Sequence, residues 1–320
     1  MINTLKVLNV KAQAVSVDRG DVLTLIREGS NVLLARVRPP RFDVKYLYRF
    51  NGVRGVLIAR LGDIYLASVD STLYASRDLV EWRSALTVAR GNSIWHACEF
   101  PEGIVVQEYG ESPTGLYASA DGYRWSRVLT NIEADPTSRH FHYIAYDPYR
   151  DAVHATLGDA NLVRAVAIKG GFLEPAYRGP WQFLPVAVLE DIVVFGFDSG
   201  IARGGLGVFS PEEEKWSFIF LKWRGGGVRH AQMNELKAFK GVWIGALGAS
   251  SALAVSDRLG EWRLLHLEGL NQVFNNFMSL AVGENFTVAS TGEKLIVFNE
   301  SDVSEALRGS PSWCGTKDKK

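Results

Sequence analysis

The densest chemistry in the chain lies in one segment. Arg139-His140-Phe141-His142 is followed by Tyr146-Asp147-Pro148 and then by Gly158-Asp159. Two histidines two residues apart on an extended strand share one face. Such a pair can hold a metal ion if neighbouring strands bring further ligands, and His96 and His230 are the candidates for that. The same spacing also suits plain packing against the next sheet. Glu108 and Asp159 occupy corresponding places in successive segments. Two carboxylates facing each other across a cleft are the minimum for glycoside hydrolysis, one as acid and one as base or nucleophile. Arg54, Arg139 and Arg229 are suited to an anionic group such as a uronate or a sulfated sugar. Salt bridges between those arginines and acids would account for the same residues without any ligand. The chain has no Gly-x-Ser-x-Gly elbow, no phosphate-binding loop and no His-Glu-x-x-His.

The elements that must position these residues are short. Ser93–Glu99, Gly103–Tyr109, Gly115–Ala120 and Trp125–Thr130 are β-branched and aromatic runs bounded by Gly, Pro, Asp and Ser. Gaps of two to six residues are antiparallel hairpin spacing. No long amphipathic helix pattern interrupts them. Trp82, Trp125, Trp216 and Trp262 are 43, 91 and 46 residues apart, a period near 45 with one unit lacking its mark. That period divides the 320 residues about seven times. Four strands per unit around a ring make an all-β, seven-bladed β-propeller of four-stranded antiparallel blades. The seventh unit shows Phe277–Val282, Phe286–Ser290 and Lys294–Asn299 but no fourth strand. Leu5–Val10 is expected to supply it, so that an N-terminal strand closes the last blade. Residues 1–307 read as one domain and 308–320 as a polar tail.

Each marker tryptophan follows a recurring string. Ser76-Arg77-Asp78 precedes Trp82, Ser119-Ala120-Asp121 precedes Trp125, Ser210-Pro211-Glu212 precedes Trp216 and Ser256-Asp257 precedes Trp262. Three of the four read Ser-x-acid-x-x-x-Trp. The pattern resembles the Asp-box (BNR) repeat of sialidase-like β-propellers. The resemblance implies turns between third and fourth strands, on the face away from any active site, with Asp and Ser oxygens accepting from backbone N–H groups. It does not imply sialidase activity. Arg36-Val37-Arg38-Pro39-Pro40 departs from the Phe-Arg-Ile-Pro motif such a site needs.

Propeller topology brings the starts of first strands and the ends of second strands to one funnel. Second-strand ends carry Glu28, Asp70, Glu108, Asp159 and Asp198. First-strand starts carry Arg54, His96, Arg139, His140, His142, Arg229, His230, Asn275 and Asn276. The funnel is expected to bind a small anionic or carbohydrate-type ligand, as in a glycoside hydrolase or lyase. Glu108 is then the acid and Asp159 the base. Arg54, His96, Arg139, Asp198, Arg229 and His230 hold the substrate, and His140 and His142 either polarise it or bind a divalent metal. A single acid at such a position also serves as an ordinary turn cap. The alternative is a non-catalytic propeller whose rim meets a protein partner.

Composition narrows the partners. Lys plus Arg and Asp plus Glu both number 35, a net charge of zero. That argues against a nucleic-acid binder and against a polybasic membrane-surface protein. Two cysteines cannot build a disulfide framework. With no apolar leader and no long uncharged apolar stretch, the expected location is the cytoplasm.

Overall fold

The structure is a computed structural model and describes residues 5–159, 162–199, 203–228, 231–248, 250–267 and 279–309. It is a seven-bladed β-propeller. The innermost strands of blades 1 to 7 are Ala12–Asp18, Gly55–Leu61, Ser93–Phe100, His140–Asp147, Phe183–Val188, Met233–Phe239 and Ser279–Val282. Within blades 1 to 6 the chain then runs outward through consecutive antiparallel strands, as the hairpin spacing requires. Blade 7 closes as expected. Lys6–Leu8 pairs antiparallel with Leu295–Phe298, Lys6 opposite Val297 and Leu8 opposite Leu295. The closure removes a free sheet edge.

The core consists of wedges between adjacent blades. Each blade twists, and its two apolar faces interlock with those of its neighbours. Phe50, Leu25 and Leu34 fill the wedge between blades 1 and 2, and Trp262, Met233 and Val194 that between blades 5 and 6. Successive residues of a strand therefore point alternately toward the two neighbouring blades.

Three features exceed the sequence reading, the smallest being one helical turn at Asn131–Ala134 between blades 3 and 4. Lys222–Trp223 adds a fifth strand to blade 6, parallel to Glu261–Leu267. Glu300–Arg308 forms a helix packed on blades 6 and 7, burying Val303 and Ala306. Its N-cap is Asn299, with Asp302 completing a capping box. Asp302 also accepts from the Leu5 N–H at 3.0 Å, which pins the closing strand. Nine residues with one apolar stripe are too few to stand out beside the 29 strands of the described residues. Among the described residues, no helix is long and apolar enough to cross a membrane.

Two of the four tryptophan turns form the expected hydrogen-bond set. Asp78 Oδ1 accepts from the N–H groups of Val80 and Glu81 at 2.8 and 2.9 Å, and Ser76 Oγ from Leu79 at 3.0 Å. Asp121 and Ser119 repeat this with Tyr123, Arg124 and Gly122. The Trp82 and Trp125 indoles donate back to the carbonyls of Leu79 and Gly122. In blade 5 the acid is a glutamate, and Trp216 donates to Ala176 in blade 4. These turns join third to fourth strands, so they lie opposite the face where second strands end.

Candidate functional site

The axis holds a cavity of about 850 Å³. Its wall includes Gln13, Arg54, Trp95, His96, Tyr109, Tyr143, Asn234, Glu235 and Lys237. Charged groups on an inner strand are costly unless paired, and here Glu235 and Lys237 pair with each other and with Tyr143 and His96 of other blades. Tyr143 Oη donates to Glu235 Oε2 at 2.9 Å and accepts from Lys237 Nζ at 2.9 Å. Lys237 Nζ also lies 3.4 Å from Glu235 Oε2, and His96 Nε2 lies 3.6 Å from Oε1. The His96 ring packs on the Tyr143 ring with centroids 4.0 Å apart. Trp95 and Tyr109 stack in parallel at 3.6 Å and form a flat aromatic wall.

The protonation states follow from this packing. Burial pushes the Tyr143 phenol well above its usual range, and the Glu235 charge pushes the same way. Burial would raise Glu235, but Lys237, His96 and Tyr143 outweigh it, and the carboxyl is held below its ordinary value. Burial would lower Lys237, and Glu235 with Tyr143 outweighs that and raises it. The cavity therefore presents a carboxylate, a phenol and an ammonium in mutual contact. Burial lowers Arg54.

Beside the cavity, at the upper ends of blades 4 and 5, stands a second cluster. His140 Nδ1 lies 2.9 Å from the Gly110 carbonyl oxygen. His142 Nδ1 lies 3.0 Å from the Phe183 carbonyl oxygen and 3.2 Å from Asp198 Oδ2. The two Nε2 atoms face each other at 3.1 Å. Asp159 Oδ2 is 3.7 Å from His140 Nε2, and its Oδ1 accepts from Gln182 at 2.7 Å. Asp198 accepts from Gln182 and Gln232 at 3.1 and 2.6 Å. A Cβ on Gly158 would overlap the His142 ring, so glycine at this strand end opens the niche. Burial, followed by the facing His142, lowers His140 to about 4. Burial would raise Asp159, but the hydrogen bond from Gln182 works against it and the group is held below its ordinary value. The Tyr109 ring packs on His140 with centroids 4.2 Å apart, joining this cluster to the cavity wall.

The expected funnel residues separate accordingly. His140, His142, Asp159 and Asp198 gather in the second cluster, while Arg54 and His96 line the cavity. Glu108 joins neither. Its carboxylate accepts from Asn92 Nδ2 at 2.7 Å, from the Gly115 N–H at 3.0 Å and from Tyr117 Oη at 3.0 Å. Strand alternation turns it into blade 3 while Tyr109 faces the axis. An acid held by three donors inside a sheet cannot give a proton to a ligand in the funnel. Arg139 is exposed at the rim and bonded to Glu111 at 2.8 Å, which raises it. Asp70 accepts from the N–H groups of Val53 and Arg54 as a turn cap. Glu28 pairs with exposed Arg49. Asp147 accepts from the N–H groups of Tyr149 and Arg150 in its own turn. Arg229, His230, Asn275 and Asn276 lie outside the described residues.

Strand ends alone do not point to Tyr143, Glu235, Lys237 and Gln182. The signal for two of them lies in Met233-Asn234-Glu235-Leu236-Lys237. A glutamate and a lysine two apart inside an apolar inner strand must share a face and need partners there.

No protein-family model matches the chain, and no curated protein matches it in sequence. Solved structures do match in fold. A virginiamycin B lyase from Staphylococcus aureus is similar at a TM-score of 0.70 and 9% identity, covering 92% of this chain and 98% of its own. An oligogalacturonate lyase in complex with manganese is similar at 0.58 and 10% identity, covering 94% and 100%. The N-terminal domain of Nup159 is similar at 0.56 and 12% identity, covering 93% and 94%. Likeness at these identities shows the propeller fold alone.

Proposed function

We propose that the chain binds a small anionic, carbohydrate-type ligand in its axial cavity and acts on it by acid–base chemistry, as a lyase or hydrolase. The contact of Tyr143 with Glu235 and Lys237 inside the cavity carries this reading. The ionised carboxylate offers a proton acceptor, and the Tyr143 hydroxyl, which donates to it across 2.9 Å, becomes a donor to a bound molecule by turning away from Glu235. Lys237 and Arg54 supply positive charge for an acidic group, and the Trp95–Tyr109 wall is a platform for a sugar ring. Glu235 takes the base role and Tyr143 the acid role. Two propellers alike over nearly their whole length are lyases, which agrees with an elimination but does not carry it.

The test is calorimetry against uronic acids and acidic oligosaccharides, with ultraviolet detection of an unsaturated product. The expected result is binding that Arg54→Ala weakens about tenfold or more, and turnover that Tyr143→Phe abolishes. A wild type that binds none of these ligands would overturn the reading and favour a propeller that serves a protein partner.

A further inference from the structure

We propose that His140, His142 and Asp159 form a binding site for one divalent transition-metal ion. The argument rests on where the ring protons must be. Each Nδ1 points at a backbone carbonyl, Gly110 for His140 and Phe183 for His142, at 2.9 and 3.0 Å. A carbonyl oxygen only accepts, so each Nδ1 carries the hydrogen. A neutral imidazole then has its lone pair on Nε2. The two Nε2 atoms are 3.1 Å apart, and both residues are 3% exposed. Two lone pairs set against each other away from water repel, unless a cation lies between them.

The surroundings are those of a metal site. With bonds of about 2.1 Å to each nitrogen, a cation would subtend an N–metal–N angle of roughly 95°. That suits adjacent ligands in octahedral or distorted tetrahedral coordination. Asp159 Oδ2 completes the set, the three ligand atoms lying within 4.8 Å of one another. The outer contacts also fit. Ligating histidines donate their second N–H to a carbonyl or carboxylate, and ligating carboxylates are themselves hydrogen-bonded. Gly110, Phe183 and Asp198 accept those second N–H groups, and Gln182 donates to Asp159 Oδ1. Nitrogen ligands with one carboxylate select zinc, cobalt, manganese or iron(II) over calcium or magnesium. The side chain of Asp159 is half-exposed, which leaves a route for the ion and for a further ligand. A proton shared by the two rings is the competing account of the short contact. It requires a buried imidazolium and predicts no metal affinity.

The experiment uses untagged full-length protein stripped with EDTA, then titrated with ZnCl₂ by calorimetry and with CoCl₂ by visible absorption. One ion per chain should bind, with cobalt bands typical of nitrogen ligation. His140→Ala and His142→Ala should each weaken binding by at least about 100-fold, and Asp159→Asn or Gln182→Ala by about 10-fold or more. Asp159→Asn alters a half-exposed side chain, so it keeps the fold if a histidine variant does not. His154→Ala, a buried histidine bonded to Asp147 in the same blade, should still bind one ion. Folded wild type that takes up neither ion at millimolar concentration overturns the site. So does unchanged zinc affinity in Asp159→Asn together with His142→Ala. These side chains are not those that hold the cavity ligand, so either reading can fail while the other stands.

Discussion

Tyr143 donates its hydroxyl to Glu235 across 2.9 Å although 92 residues separate them. The two belong to the inner strands of blades 4 and 6, so the bond crosses the axis past blade 5. Lys237 meets both groups, and His96 of blade 3 approaches from the other side.

Lys237→Met should destabilise the protein by about 2–3 kcal/mol, below the full cost of breaking a buried pair because the ammonium opens onto the cavity. The loss arises from the Glu235 charge left without its cation. Adding Glu235→Gln should recover most of it. Urea unfolding of the two single variants and the double variant measures this coupling. Additive single effects would mean the two charges are not coupled.

Tryptophan position orders the second prediction. Trp262 is fully buried between blades 5 and 6, and Trp125 is only partly buried. Trp262→Ala should cost about 3–5 kcal/mol and Trp125→Ala about half of that. Calorimetric melting of the two variants checks the order. Ligand and metal binding should survive Trp125→Ala, because that turn lies on the opposite face.

The ring closure rests on a short strand and one carboxylate. Asp302→Ala removes the bond to the Leu5 N–H and half of the helix capping box. It should cost about 1–2 kcal/mol. Deleting residues 1–8 should cost more, since Leu5 and Leu8 pack on two different core clusters. Thermal unfolding of the deletion variant that matches the wild type would refute closure by this strand.

Acid stability should follow Asp147. Burial would raise this carboxyl, but bonds from His154 and Arg150 outweigh it and hold the group at about 2, below its ordinary 3.8. The folded state thus holds the proton less tightly than the unfolded chain does. The associated stability is present above about pH 4 and is lost as pH falls toward 2. Asp147→Asn should flatten this part of the stability profile, read as urea midpoints between pH 2 and pH 6. Asp135, also held at about 2, should behave alike, because the Val163 N–H together with the hydroxyl and N–H of Thr137 outweighs its burial.

Local patterns were enough for the ring. Alternating apolar runs, hairpin gaps and the tryptophan period depend on neighbours a few residues away, and they specified seven blades and the closure by residues near Leu5. They also placed His140, His142, Asp159 and Asp198 at one end of the blades, because strand direction alone decides which end a residue occupies. The helix at Glu300–Arg308 and the fifth strand of blade 6 were illegible, since both exist through packing on distant surfaces. Side-chain direction was decided only in three dimensions. Glu108 and Tyr109 are adjacent, yet one is tied up inside blade 3 and the other lines the cavity. The partners that orient His140 and His142 are backbone carbonyls 30 and 41 residues away, on blades 3 and 5. A backbone carbonyl leaves no mark in a sequence, so only the folded ring shows that both imidazoles turn their Nε2 atoms toward each other.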